Sequence, residues 1–338
     1  MYKKYNRGYV ILVGSLVVIL CSYIKARGAT KKEGFQVGSD ETACDYVSSR
    51  GIMKLCDVHS SDPISSIKEL KGYDFSKIVD GSTVYIASSA IPAFVKLFKT
   101  IPHRIILVSG DCDETVSEDI FSSSHEFLEF IEQDKIIHWF SQNCTVHHHK
   151  ISQIPIGLDY HTLASGGHAW GPKATPIKQE IVLKDIQKVS PPFYRKKIAC
   201  YANFQFTLDG KFGHERKLAV KEIPADAIFY EPKKLSREAT WRAQSEYAFV
   251  VSPPGNGLDC HRTWEALCLG CIPIVKSSAL NPLYRGLPVL IVNSWSDITV
   301  TKLEAVIEEF QNKTFDFNRL ELSYWIKNIR EGGLPVGK

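Results

Sequence analysis

Between Ser252 and Val275 the chain reads SPPGNGLDCHRTWEALCLGCIPIV, and its residue types are those of an anion site. Pro253 and Pro254 cannot continue a β ladder, and Gly255, Asn256 and Gly257 behind them tolerate positive φ, so a sharp loop is expected there. Arg262 offers a permanent planar cation able to hold two phosphate oxygens together. Glu265 lies three residues on, on the same helical face and one turn deeper, where a carboxylate can accept from the two hydroxyls of a ribose. Asp259 stands where the helix N-cap is expected, and Trp264 and Leu267 fall on the core side of the wheel. A helix start of this kind presents unpaired backbone N–H groups and a partial positive charge, which suit a diphosphate. A blander reading stays open, because Gly-rich loops are common in parallel sheets and Asp259 and Glu265 near a helix start favour its dipole without any ligand. The loop is neither a dinucleotide fingerprint, since no G-x-G-x-x-G is present, nor a P-loop, since no Gly-Lys-Ser/Thr follows.

Two other clusters carry less. His147, His148 and His149 are adjacent and do not converge on one ion without partners, so a solvated loop is expected. Cys268 and Cys271 form a lone C-x-x-C among apolar residues and read as small buried thiols.

The elements that must position the loop follow from periodicity. STVYIASS, RIILVSG, KIIHWFS and QIPIGL are apolar, β-rich runs, with helix-like Pro92 to Lys99 and Ser124 to Gln133 between them. The stretch from His161 to Pro176 is rich in Gly, Pro and small residues, and a helix is expected from there to about Val189. Beyond the pair Pro191-Pro192 the alternation resumes with KIACYANF, a helix near His214 to Lys221, AIFYE, a helix near Ser236 to Glu246, YAFVVS, a helix over Cys260 to Leu269, IPIV, LPVLIV and a helix over Thr301 to Phe310. This is the rhythm of an α/β protein with two Rossmann-like parallel-sheet domains facing a cleft: residues 41–165, a linker over 166–192, and residues 193–330.

A chain of 338 residues, 44% hydrophobic and 23% charged, has length for about two domains. Its formal net charge of +4 is spread thinly, without basic runs or interleaved aromatics, so no nucleic acid partner is expected. Gly8 to Ile24 is uncharged and flanked by basic residues on both sides. At about 1.5 Å per residue it covers most of a roughly 30 Å hydrocarbon core and reads as a transmembrane anchor between a short tail (1–7) and a stem (25–40). A signal peptide and a buried helix are the rival readings, and near-equal basic flanks leave orientation open. The sequons at Asn143 and Asn312 are compatible with a lumenal face. Of nine cysteines, Cys44 with Cys56 or Cys112 with Cys144 are candidate disulfides in such a compartment.

The run SPPGNGLDCHRTWEALCLGCIPIVKSS, followed by LNPLYRGLPVLIVNSWSDIT, resembles the nucleotide-sugar motif of the exostosin-like glycosyltransferases, in which a Pro-x-Gly loop, an Arg and a Glu-Ala-Leu helix precede a Gly-Cys-x-Pro-(Val/Ile) strand. The resemblance is dense over about 50 residues, with echoes in IPIGLDYHTL, KIACYANF and LSREATW. It implies a GT-B fold and type II membrane topology with a lumenal catalytic body in Golgi or ER. It also implies a UDP-type donor, a glycan or glycoprotein acceptor, inversion at the anomeric carbon, and no required cofactor or metal. It assigns Arg262 to the donor diphosphate and Glu265 to the ribose, with Gly255, Asn256 and Gly257 in the donor loop and Arg237 as a second candidate cation or a salt-bridged arginine. An inverting transfer also needs a base on the acceptor side. Asp111 and Asp113, after the strand RIILVSG, are candidates, with Asp159 a further option and solvated turn residues the competing reading. A catalytically silent glycan-binding protein of the same fold is the alternative. A methyltransferase-like Rossmann enzyme is disfavoured by the missing Gly-rich loop after the first strand.

Overall fold

The computed structural model describes residues 40–206 and 209–332. The tail, anchor and most of the stem expected over 1–40 lie outside the described residues, among which no helix is long and apolar enough to cross a membrane. The described residues build two all-parallel sheets. The first has the order β1 (Ser82–Ala87), β2 (Ile105–Gly110), β3 (Ile136–Ser141), β4 (Ile151–Gln153). The second runs β6 (Ile228–Tyr230), β5 (Lys197–Ala202), β7 (Tyr247–Val251), β8 (Ile272–Lys276), β9 (Leu290–Val292). β1 and β2 are buried at every position, which is why their sequences are nearly continuous apolar runs rather than alternating ones.

β4 lies upstream of the expected strand and shares only Gln153 with the run QIPIGL. Pro155 has no N–H to give the ladder, and the Ile156 N–H leaves the sheet to bond Asp259 at 2.8 Å. The helices are α1 (Ser49–Lys54), α2 (Ile91–Phe98), α3 (Ser124–Ile131), α4 (His161–Ser165), α5 (Pro176–Val189), α6 (Gly213–Glu222), α7 (Arg237–Gln244), α8 (His261–Cys268), α9 (Val300–Phe310) and α10 (Leu322–Arg330). α5 packs on both α7 and α8, and its buried Glu180 accepts from the Asp45 and Tyr46 backbone N–H groups and the Tyr160 hydroxyl. α10 returns to pack on α1.

One core cluster joins α1, α8 and α10 through Ile52, Met53, Trp264, Leu267, Trp325 and Ile329, with Trp264 and Leu267 buried as expected. All eight cysteines among the described residues are free. Neither candidate disulfide forms: the Cys56 thiol donates to the Ile52 carbonyl, Cys112 pairs with the Ser89 hydroxyl, and the Cys144 thiol donates to the Val146 carbonyl. Cys268 and Cys271 are buried thiols.

Asp259 is not the N-cap of α8. That position is Cys260, whose side chain caps nothing, and the Asp259 carboxylate is spent elsewhere. It accepts from the Ile156 and Cys260 N–H groups, and from the Trp264 indole at 2.9 and 3.0 Å, while the Asp259 N–H donates to Asn143 Oδ1. Burial pushes this carboxyl up to about 6, against the pull of its donors. The folded chain therefore holds a proton over a window where the unfolded chain, near 3.8, has lost it. The contribution of Asp259 is fully present below 3.8 and lost as pH rises through about 6. Asp259→Asn, which turns an amide donor toward these donors, is expected to lose about 3 kcal/mol near pH 4. Urea titrations at several pH values should show the gap to the parent narrowing toward pH 7.

Candidate functional site

The strand order of the second sheet reverses between β5 and β7, and ligands of open parallel sheets bind outside the carboxyl ends of strands at such a point. Both ends open here onto one cleft of roughly 850 Å³: Asn203, Phe204 and Gln205 follow β5, and Gly255, Asn256 and Gly257 follow β7. The opposite wall comes from the carboxyl ends of the first sheet, with Asp113 after β2 and Ile156 after β4.

Gly257 is where the two walls meet. A Cβ there would lie 2.8 Å from Asn143 Nδ2 and 3.1 Å from the Asp113 carbonyl, so the glycine permits close approach of two backbones. The loop closes through a Gly255 N–H to Gly257 carbonyl bond of 2.9 Å.

Arg262 leaves α8 toward β5. Its guanidinium lies 5.5 Å from the Phe204 ring centroid and donates to the Pro253 carbonyl at 3.2 Å. Arg216 of α6 approaches the same ring at 6.0 Å and donates to the Pro254 and Gln205 carbonyls at 2.9 and 3.0 Å. Neither arginine is paired with a carboxylate among the described residues. Burial, then repulsion from Arg262, lower Arg216 to about 10. Two cations forced together beside an uncapped helix start form a place where an anion relieves repulsion and satisfies free donors. The Glu265 carboxylate lines the same cleft and has no hydrogen-bond partner among the described residues.

The remaining sequence candidates divide. Arg237 lines the cleft but is engaged: Nη2 bonds Asp159 Oδ2 at 2.7 Å, Nη1 bonds Gln179 Oε1 at 2.8 Å, and its guanidinium lies over Trp170. The salt-bridged alternative for this residue is the one the structure displays. Burial raises Asp159, but the positive charges of His261, Arg237 and His161 outweigh it and hold the carboxyl well below the usual carboxylate range. Asp111 is outside the cleft lining, with φ 55° and a carboxylate bound by Arg50 and Ser65. Asp113 is exposed and faces the cleft. Away from the cleft, His148 and His149 come together with Glu132, their ligand atoms within 4.8 Å of one another, and His148 bonds Glu132 at 2.8 Å.

Two residues of the site have no counterpart in the sequence reading. Arg216 carries a faint signal, a cation on the buried face of α6 formed with Gly213 and Ala219. His261 carries none, because its partner, the Gly157 carbonyl, is 104 positions away.

No protein-family model matches this chain, and no curated protein matches it. Among solved structures it is similar to one described as trehalose-6-phosphate from E. coli bound with UDP-2-fluoro glucose, at 11% identity and a TM-score of 0.35, over 76% of this chain and 72% of that one. It is also similar to an alpha,alpha-trehalose-phosphate synthase (UDP-forming) from Burkholderia xenovorans in complex with glucose-6-phosphate, at 10% identity and a TM-score of 0.38, over 79% and 80%. Likenesses of this size carry no argument about this chain.

Arg216→Gln and Arg262→Gln are each expected to weaken pyrophosphate binding about tenfold or more, the worth of a charged hydrogen bond. Calorimetry with the parent and both variants checks this. Equal affinities would dissolve the anion site.

Proposed function

We propose that this protein is a glycosyltransferase that moves a sugar from a nucleoside diphosphate donor to a hydroxyl acceptor across the cleft between its two sheets. The observation that carries the reading is the pair Arg216 and Arg262, without carboxylate partners, beside the uncapped start of α8 at the reversal point of a parallel sheet, with Glu265 one turn deeper. Departure of the diphosphate develops negative charge where these cations and N–H groups already point, so they act on the transition state more than on the ground state. The cleft is of a size that admits a nucleotide sugar. A GT-B arrangement, a UDP donor, an inverting transfer and the exostosin-like type are the finer parts of the proposal, supported by the residue pattern from Ser252 to Val275. No cofactor or metal enters it, and the acceptor class is a glycan or glycoprotein hydroxyl.

In this reading Glu265 accepts from the ribose hydroxyls. Parent protein should bind UDP better than 2′-deoxy-UDP by about tenfold, and Glu265→Ala should bind both alike, the size expected for one charged hydrogen bond. Calorimetric titration decides it, and an undiminished preference in the variant would remove the role.

The proposal also takes residues 8–24 as a single-pass anchor and places the body in the lumen of the Golgi or ER. Of the two sequons, Asn143 is 1% exposed and hydrogen-bonded to the Cys112 carbonyl, whereas Asn312 is exposed. Protein expressed through a eukaryotic secretory route should carry a glycosidase-sensitive glycan that disappears in Asn312→Gln. A glycan-free parent protein from that route would count against a lumenal body.

A further inference from the structure

We infer that His261 is the general base that takes the proton from the acceptor hydroxyl. The inference rests on the transferase reading above and adds the half of the reaction that the donor-binding residues do not perform.

His261 opens α8, next in sequence to Arg262, and both line the cleft. Adjacent helical residues diverge by about 100° around the axis. Arg262 turns toward Phe204 behind β5, while His261 turns to the first half of the chain, where its Nδ1 lies 2.7 Å from the Gly157 carbonyl. A carbonyl only accepts, so Nδ1 carries the hydrogen of this bond and the neutral ring keeps its lone pair on Nε2. Gly157 holds φ +65°, and a Cβ there would lie 2.1 Å from the Val47 carbonyl, so the position of this acceptor is itself fixed by a backbone that only glycine fits.

A buried carboxylate lies on the far side of the neighbouring His161 contact. Asp159 is paired with Arg237 at 2.7 Å and lies 3.2 Å from Nδ1 of His161, whose ring centroid is 6.3 Å from that of His261. Asp159 is a poor base itself, since Arg237 occupies its oxygen and the local charge opposes protonation. Asp113 also faces the cleft, but it is exposed, and its carboxylate has no hydrogen-bond partner among the described residues to orient it.

The step balances as a single displacement. The acceptor oxygen bonds to the anomeric carbon as its O–H proton passes to Nε2, and the bond from that carbon to the diphosphate oxygen breaks with its electron pair on the diphosphate, beside Arg216 and Arg262. The imidazolium then returns its proton to water.

The test uses His261→Asn, whose side-chain amide can still donate to Gly157 but has nothing at the Nε2 position, together with His261→Ala and Asp113→Asn. Transfer from UDP-sugars and UDP affinity are measured in the full chain. His261→Asn should lower kcat by about 10²-fold or more with UDP affinity unchanged, and added imidazole should restore part of the rate to His261→Ala. Asp113→Asn should lower kcat by less than His261→Asn does. A His261→Asn enzyme as active as the parent overturns the assignment, as does failure of imidazole to rescue His261→Ala or a loss confined to Asp113→Asn. A parent protein that binds no nucleotide sugar removes the transferase reading itself. A parent that transfers, with an equally active His261→Asn form, removes only the base.

Discussion

The site depends on where one buried carboxylate spends its oxygens. Asp259 gathers the Ile156 N–H from the first sheet's edge, the Cys260 N–H at the head of α8 and the indole of Trp264 one turn on, while its own N–H is taken by Asn143. These bonds fix the end of the Gly-rich loop, the start of the helix and the far wall of the cleft relative to one another. Because Asp259 is turned away, no side chain caps α8: the Thr263 N–H bonds the Cys260 carbonyl, and those of His261 and Arg262 have no side-chain acceptor among the described residues. Had Asp259 capped the helix, the same residue would have competed with any anion for those donors.

What was legible in the sequence is what local chemistry decides. Unbroken apolar runs marked the strands, since strands buried on both faces need no polar side, and Pro253 and Pro254 marked the stop of β7. Gly270 ended α8 at φ +67°, where a left-handed residue is wanted. What escaped is what distant residues decide. The bonds of Asp259 to Ile156 and to Asn143 span 103 and 116 positions, and nothing in the segment DCHR announces them. QIPIGL has strand composition, but the hydrogen bond that would have extended β4 went to Asp259 instead. Arg237 showed its charge in the sequence but not the partner that neutralises it, Asp159, 78 positions upstream.

The two halves of the cleft are unequal in construction. The wall on the second sheet gathers a loop, a helix start and two cations, and its logic is compressed into two dozen consecutive residues plus Arg216. The opposite wall is assembled from the ends of β2 and β4, and from Asp159 before the start of α4. Each contributes a residue or two from widely separated positions. Charge can be concentrated in one compact segment, whereas the shape of the facing wall draws on many.

The clasp between α1 and α10 bears on how the chain is made. Val47 N–H bonds the Leu320 carbonyl at 2.8 Å, Leu322 N–H bonds the Asp45 carbonyl at 2.8 Å, and Arg330 reaches the Leu55 carbonyl. The first helix of the described body is therefore covered by its last, so a ribosome must deliver nearly all of that body before its opening segment can be enclosed. Until then Ile52 and Met53 lack their partners Trp325 and Ile329, and the first helix of the described body to be synthesised is among the last to be sealed.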